Sequence, residues 1–241
     1  PIITALSAAG LIAAWRAAVT LAPARATLAR AIKVAVVVSI GATVFWALAF
    51  VNGVYGNTNA RLAAGDWMLD NLPAESVVSQ QAWDDGLPWG QASDFGRVTL
   101  EPFSFGGDSP ERIELLISGL DQVDYVIETS NKFYDSLPRT PARFPQMTEY
   151  YDTLFDGSLG FELVKTFQNQ PSLLGITIDD TSAEEAFTLY DHPTVFIWRK
   201  TELFSVERAF ALLNPDRART AINAEPRDAF ANASMLRPDE Y

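Results

Sequence analysis

The stretch DSPERIELLISGLDQVDYVIET, residues 108–129, decides the fold class of this chain. Asp108 and Ser109 are residue types that cap helix N-termini, and Pro110 fits the first helical turn. Apolar residues then recur at helical spacing, at Ile113, Leu116, Ile117 and Leu120. Residues 124–129 follow as the short apolar run of a buried strand. The stretch therefore predicts a capped helix that leads into a strand.

Working outward, residues 98–103 form a candidate strand before this helix, which gives the order strand, helix, strand. That order is typical of a βαβ crossover between parallel strands. By the same criteria we predict further strands over 76–81, 161–167 and 194–199, and helices over 59–71, 147–154 and 203–213. The prediction is a small α/β domain with a mainly parallel sheet of about five strands. The last of these strands, TVFIWR, is continuously apolar and is expected to be central.

Charge is distributed very unevenly along the chain. No acidic residue precedes Asp66, and five of the 18 basic residues do, so the chain from Asp66 onward carries a net charge of −17. An apolar, weakly basic segment followed by an acidic one indicates a membrane segment joined to a solvated domain. The acidic balance excludes nucleic acid as a partner, because phosphate binding requires clustered Lys and Arg.

Residues 34–55 contain no charged side chain over 22 positions, which is long enough to cross a ~30 Å hydrocarbon core. Arg25, Arg30 and Lys33 precede this segment, so the positive-inside rule predicts that its beginning faces the cytoplasm. The acidic domain is then expected on the extracytoplasmic side. A secretory signal peptide would have a shorter apolar core.

Residues 1–22 form a second apolar segment, interrupted only by Arg16. We predict a second span, since an arginine near a helix end can extend to the interface; an amphipathic surface helix is the alternative. The predicted organisation is a transmembrane hairpin over 1–56, an extracytoplasmic α/β domain over 57–214 and an extended tail over 215–241. Such a hairpin resembles the last two helices of a larger polytopic protein.

The candidate site follows the strand at 76–81, in the loop AWDDGLPWG, residues 82–90. Its side chains of interest are Trp83, Asp84, Asp85 and Trp89. Ligand sites of α/β folds lie at the carboxyl ends of the strands, and indole rings beside carboxylates suit a sugar, since rings stack on its face and acids accept its hydroxyls. Adjacent Asp residues also suit a divalent cation. The alternative is a structural turn in which the Asp residues cap backbone amides.

Other chemistry is sparse in this sequence. The chain has no Cys, which excludes disulfides and Cys-ligated metal sites, and His192 is its only histidine. We interpret His192 as a structural turn residue. Ser104 to Asp108 lies before a helix, where anions bind, but it has no Lys and carries an Asp, which disfavours phosphate. No self-sufficient catalytic constellation is predicted.

Several stretches together resemble the C-terminal part of bacterial polytopic glycosyltransferases of the protein-mannosyltransferase type, and of the related YYY-type membrane proteins. They are AWDDGLP (82–88), DSPERIELLISGLDQVDYVIETSNKFYDSLPRTPARFP (108–145), EYYDTLFDGSLGFELVKTF (149–167) and EEAFTLYDHPTVFIWRK (184–200). Their order and spacing carry the resemblance, which covers roughly residues 58–200. In that family the catalytic acid lies in an early extracytoplasmic loop, which nothing in this chain matches, so no catalytic residue is carried over.

The resemblance implies a part of a bacterial cytoplasmic-membrane glycosyltransferase that moves a sugar from a polyprenyl-phosphate donor to an extracytoplasmic acceptor. This region would be accessory to chemistry carried upstream. The partners would be the lipid bilayer, the polyprenyl-phosphate sugar and its acceptor; the chain itself would hold no cofactor, and a divalent cation would belong to the full protein. The alternatives are a non-catalytic scaffold subunit, with other membrane subunits as partners, and a sugar-binding sensor.

Overall fold

The structure of the chain is a computed structural model, and it describes residues 2–21, 23–84, 86–90, 93–102 and 107–222. It divides into two compact units. The helical unit contains the residues up to 57 together with residues 170–180. The α/β unit contains residues 58–169 and the chain from residue 181 onward. Residues 170–180, predicted as part of one continuous α/β domain, group instead with the N-terminal helices.

The helical unit consists of two long apolar helices. Helix α1 spans Ile2–Thr20, a 3-10 turn follows at Pro23–Arg25, and helix α2 spans Ala26–Phe50 before continuing as π-helix over Val51–Tyr55. Both helices are long and apolar enough to cross a membrane, and most of their large side chains are exposed. Helix α2 begins eight positions before the predicted span, so Arg30 and Lys33 lie on a helix and not in a loop.

Polar side chains within α2 bond to their own helix. The hydroxyl of Ser39 donates to the carbonyl of Ala35 over 2.8 Å, and that of Thr43 donates to the carbonyl of Ser39 over 2.9 Å. These bonds return to the backbone four residues earlier, so neither hydroxyl needs a water partner. The apolar character of α2 is therefore uninterrupted from Val34 to its end at Phe50.

The remaining part of the helical unit is a short hairpin. Strand β5, Ser172–Leu173, pairs antiparallel with strand β6, Ile176–Thr177, and Ser172 lies opposite Thr177.

The α/β unit alternates helices and strands along most of its length. Its helices are α3 (Ala60–Asn71), α4 (Pro110–Gln122), α5 (Pro145–Phe155), α6 (Glu185–Thr188) and α7 (Val206–Leu213). Its strands are β1 (Val77–Gln81), β2 (Gly96–Leu100), β3 (Tyr125–Glu128), β4 (Phe161–Phe167) and β7 (Val195–Lys200). Two 3-10 helices, Leu137–Arg139 and Pro215–Thr220, complete the unit. The α/β class predicted from the sequence is confirmed.

The five strands form one mixed sheet in the order β2-β1-β3-β7-β4. Strand β1 pairs in parallel with both β2 and β3, as the predicted strand–helix–strand order requires. Strand β7 pairs antiparallel with β3 and with β4. The expectation of a mainly parallel sheet is therefore not confirmed, since two of the four pairings are antiparallel. An apolar run such as TVFIWR predicts a strand buried between neighbours, which β7 is, but it carries no information on direction.

The sheet has an apolar cluster on each face, because successive strand residues point to opposite sides. On β3, Val126 belongs to the larger cluster, which includes residues from α4, α5 and α7, and Ile127 belongs to the smaller one, which includes residues from α3. The chain after Leu213 was predicted to be an extended tail. Residues 215–220 instead form a 3-10 helix whose Ala218 is buried in the larger cluster, and the prediction for 223–241 lies outside the described residues.

Candidate functional site

The candidate site begins where β1 ends. The chain turns sharply at Trp83, whose φ of +72° is in the left-handed region. The turn sends two successive side chains in different directions: Trp83 is 74% exposed, whereas the side chain of Asp84 is only 6% exposed. Left-handed backbone at a bulky residue is uncommon and occurs most often at functional sites. The loop therefore presents one indole ring to solvent and turns one carboxylate inward.

Arg61 meets this carboxylate from the first turn of α3. That turn is set by Asn59, whose side-chain oxygen accepts a hydrogen bond from the Arg61 amide over 2.9 Å. The guanidinium then donates three bonds: Nε to the carbonyl of Thr129 at 3.1 Å, and Nη2 to the carbonyl of Leu189 at 3.1 Å and to Asp84 Oδ1 at 3.4 Å. Arg61 thus ties together three loops of the α/β unit.

The loop after β3 supplies the next two groups. The hydroxyl of Ser130 donates to Asp84 Oδ2 and accepts from the amide of Lys132 over 3.3 Å. The ammonium of Lys132 donates to the carbonyl of Trp83. Because β1 and β3 are adjacent and parallel, their carboxyl ends meet at one edge of the sheet, which brings these loops together.

Tyr190 borders the site from the segment after α6. The side-chain Nδ2 of Asn131 donates to the hydroxyl of Thr188 over 2.8 Å, which fixes the end of α6 beside the β3 loop. Tyr190 follows two residues later and is 75% exposed. A second aromatic ring therefore lies at the same edge as Trp83.

These side chains line a cleft of about 300 Å³. Its lining consists of Arg61, Trp83, Asp84, Lys132, Leu189 and Tyr190. Two exposed rings at a cleft can stack against a sugar, and a lysine and an arginine with a buried carboxylate can bond its hydroxyls or a phosphate.

The structure brings two of the four predicted residues into this cleft. Trp83 and Asp84 line it, and Asp85 lies outside the described residues. Trp89 is 56% exposed but is not among the lining residues. Its loop is anchored by the buried Leu87 and by a bond of 2.7 Å from Arg97 Nη1 to the Leu87 carbonyl. That these residues bind a sugar stays a prediction.

The other residues of the site were not predicted from the sequence. Ser130 and Lys132 could have been found by the rule that selected Trp83, since they also follow a strand predicted to be parallel. Arg61 gave no such signal, because a single basic residue in the first turn of a helix is ordinary. Leu189 and Tyr190 reach the cleft only through tertiary packing.

A second polar group lies buried at the same end of the sheet. Glu128, the last residue of β3, is fully buried, and burial together with the nearby Asp84 carboxylate raises its pKa well above the usual range. The side chain of Gln81 lies close enough to offset part of this rise in pKa, yet neither Glu128 oxygen has a well-formed hydrogen bond to a described residue. Burial and this carboxyl also raise the pKa values of Tyr150 and Tyr151. Burial therefore favours the protonated form of Glu128.

The remaining candidates are structural. Ser109 caps α4 as predicted, but the carboxylate of Asp108 accepts from the amides of Gln146 and Met147 and thus caps α5 instead. Most of the segment before it, residues 103–106, lies outside the described residues. His192 is buried, its amide donates to the Thr188 carbonyl over 3.1 Å, and its ring packs edge-on against Phe187.

Comparisons with known proteins give no family assignment: no protein-family model, curated protein or solved structure matches this chain. Within the described part of the chain, no group of three or more His, Asp or Glu side chains is arranged to hold a metal ion. The geometry of the cleft is therefore the basis for a functional proposal.

Proposed function

We propose that this chain is the C-terminal part of a membrane glycosyltransferase, in which the α/β unit binds the sugar part of a polyprenyl-phosphate donor or its acceptor. The chemistry itself would be carried by groups upstream of this chain. The observation that supports this most directly is the cleft in which Trp83 and Tyr190 flank the Arg61–Asp84 pair. Exposed aromatic rings beside fixed polar groups are the surface that a sugar requires.

The electrostatics of the cleft favour a sugar that carries a phosphate. Among the described lining residues, Arg61 and Lys132 are the cations and Asp84 is the carboxylate. Their local balance is positive within a strongly acidic chain, so an anionic ligand would find its attraction at this position. A carboxylate offers about four acceptor sites, so Asp84 could also receive a sugar hydroxyl.

The apolar helices support a membrane location for this function. Polyprenyl-phosphate sugars are confined to the bilayer, and a tether raises the effective concentration of a binding domain at that surface. We propose that α1 and α2 span the bacterial cytoplasmic membrane, with the α/β unit on the extracytoplasmic side. The supporting evidence is the length and apolarity of the helices and the position of Arg25, Arg30 and Lys33.

Binding tests the function directly. The full chain in nanodiscs would be titrated with a short-chain polyprenyl-phosphate mannose, with the same polyprenyl phosphate lacking the sugar as a separate arm. Trp83→Ala and Tyr190→Ala are each expected to weaken binding of the sugar-bearing probe several-fold, since loss of a stacked ring removes about 0.5–1.5 kcal/mol beyond its buried area. Trp89→Ala is the matched control, because it removes an exposed tryptophan of the same loop that does not line the cleft.

Three outcomes are informative. Equal binding of both probes would mean that the cleft reads phosphate or lipid and not sugar. If Trp89→Ala weakens binding of the sugar-bearing probe as much as Trp83→Ala and Tyr190→Ala do, the sugar site does not lie in the cleft. No binding by the full chain, together with purification at fixed stoichiometry with other membrane subunits, would replace this proposal by the scaffold function.

The topology has its own test, because a chain without Cys accepts single reporter cysteines. In intact spheroplasts a membrane-impermeant maleimide is expected to label Leu115→Cys, which lies exposed on α4. Leu28→Cys, exposed near the start of α2, is expected to react only after permeabilisation. The reverse pattern would invert the proposed orientation.

A further inference from the structure

The hairpin of residues 170–180 has a polar base and an apolar tip. At the base, Gln170 Nε2 donates to Asp179 Oδ1 over 3.0 Å, and the amide of Ile178 donates to the carbonyl of Pro171 over 2.8 Å. At the tip, Leu174 is 89% exposed and Ile176 is 55% exposed. The hairpin is only a few residues long, so these exposed side chains form most of its tip surface.

This hairpin is fixed to the end of the second long helix. The side-chain Nδ2 of Asn52 donates to the Ser172 carbonyl over 2.8 Å. A Cβ at Gly53 would lie 2.1 Å from the carbonyl oxygen of Gln170 and 2.4 Å from the amide of Ser172, so only glycine admits this approach. Strand β5 also contacts α2 itself, which ends at Phe50. The strand therefore lies alongside the last part of the apolar helix.

The turn at the tip has an unfavourable residue for its geometry. Leu174 and Gly175 have φ values of +54° and +81°, which a two-residue hairpin of the type I′ class requires. Asn or Asp is the favoured residue before Gly in such a turn, and a leucine there adopts a strained backbone. The tip thus carries an apolar side chain where a polar one would fold more easily, which indicates that the apolar side chain has a use.

The position of the hairpin along α2 indicates a role for this apolar side chain at the membrane boundary. A hydrocarbon core of ~30 Å is crossed by about 20 helical residues, and the uncharged segment begins at Val34. Twenty positions carry the helix to Gly53, where the hairpin is attached. The attachment therefore lies where the helix leaves the hydrocarbon, and β5 runs beside the part of α2 just within it.

We propose that the hairpin tip, residues 173–176, inserts into the interface of the outer leaflet, with lipid acyl chains as its partner. The inference rests on the membrane placement proposed above for α2. Apolar side chains at the tip enter the acyl boundary, while Gln170 and Asp179 at the base stay in the headgroup region or in water. In addition to the two long helices, the hairpin thereby gives the chain a second membrane contact, which is shallow and lies after residue 169.

Single-cysteine labelling tests this in the full chain. Leu174→Cys, Asp179→Cys and Val44→Cys would each be labelled with a polarity-sensitive fluorophore and reconstituted into vesicles that contain doxyl-labelled lipid. The label at Leu174 is expected to lose fluorescence to lipid carrying doxyl near the headgroup, and to resist aqueous iodide. The matched control at Asp179, in the base of the same hairpin, is expected to be quenched by iodide.

The label at Val44 distinguishes failure of the hairpin proposal from failure of the membrane placement. Val44 is an exposed residue in the middle of the predicted span. If its label is quenched by lipid and the Leu174 label by iodide, the hairpin proposal is overturned and the membrane placement stands. If neither is quenched by lipid, the placement itself fails. Protection of the Leu174 label from both quenchers would mean that protein covers the tip, which also overturns the proposal.

A pair of variants tests the role of the leucine. With the label at Ile176→Cys, Leu174→Asn introduces the residue type that the turn favours and removes the apolar side chain. It is expected to reduce quenching by lipid and increase quenching by iodide, whereas Leu174→Met is expected to preserve the original pattern. An unchanged pattern in Leu174→Asn would show that the apolar tip does not hold the hairpin in lipid.

Discussion

Arg61 Nη2 lies 3.4 Å from Asp84 Oδ1, and both side chains are almost completely buried at the mouth of the cleft. An ion pair in this environment has lost much of its hydration, so each charge depends on the other. The guanidinium also holds the carbonyls of Thr129 and Leu189. The pair therefore supports the cleft that Trp83 and Tyr190 border.

Removing one member of this pair should destabilise the α/β unit more than removing both. Arg61→Met removes the guanidinium that pairs with the buried Asp84 carboxylate and is expected to cost about 3–5 kcal/mol of unfolding free energy. Adding Asp84→Asn to it should recover part of that loss. A double-mutant cycle by denaturant unfolding in detergent would measure the coupling; strictly additive costs would contradict it.

Glu128 should make the stability of the protein depend on pH. Its pKa is raised in the folded state, so the folded chain keeps this proton at pH values where the unfolded chain, near the usual 4.5, has released it. Stability from this group is complete below about pH 4 and is lost as the pH rises toward the folded-state pKa, by at most about 1.4 kcal/mol per pH unit.

Glu128→Gln is the variant that tests this dependence. Its side chain has nearly the shape of the protonated carboxyl and is neutral at every pH. The unfolding free energy of the variant relative to the natural protein is expected to rise with pH above about 4.5 and to be constant below it. If the difference in unfolding free energy between Glu128→Gln and the natural protein does not change with pH, Glu128 has the same pKa in the folded and unfolded states.

Gly53→Ala should detach the hairpin from the helix. The added Cβ would overlap the backbone of Gln170 and Ser172, so one of the two segments must move. We expect faster cleavage within residues 170–180 by a protease that cleaves beside leucine. Gly41→Ala on the same helix is the control, because nothing lies within 4 Å of its Cβ position. It should leave cleavage unchanged; equal rates in both variants would contradict the close contact.

Asp108 should stabilise α5 and not the helix that follows it in the chain. Its Oδ2 accepts from the amides of Gln146 at 2.7 Å and Met147 at 3.1 Å, and both amides are buried with it. Asp108→Ala is expected to cost about 2 kcal/mol or more, because it leaves two buried donors unsatisfied. Asp108→Asn keeps an acceptor oxygen and should cost less.

The control for this capping role is Ser109→Ala, which removes the N-cap of α4 in a more exposed position. It is expected to cost about 1 kcal/mol or less. Thermal unfolding of the three variants would rank them, and a larger loss for Ser109→Ala than for Asp108→Ala would contradict the assignment.

Local patterns were sufficient to predict most elements of the fold. The apolar spacing from Ile113 to Leu120 and the caps before it predicted α4, and the apolar runs predicted β3 and β7 within a residue or two. The caps were less well predicted, since Asp108 and Ser109 are adjacent and equally good capping residues. Only the folded chain shows that Asp108 faces the start of α5.

The site was partly predictable for a similar reason. Trp83 and Asp84 could be identified because residues after a strand of a parallel pair lie at the ligand-binding edge. The ion pair of Asp84 with Arg61 could not, because these residues are far apart in sequence and the pairing depends on how α3 packs on the sheet. The same holds for the segment of Tyr190, which Asn131 fixes through Thr188.

Features that depend on composition and on near neighbours along the chain could be predicted without the structure: two helices apolar enough to cross a membrane, an acidic α/β region, and the capped helix α4. Tertiary structure decided the antiparallel direction of β7, the grouping of residues 170–180 with the long helices, and the burial of Glu128. The two groups of features differ in how far apart along the chain the interacting residues lie. Periodicity and capping act within a few residues, whereas strand direction, hairpin docking and desolvation depend on contacts between segments distant in the chain.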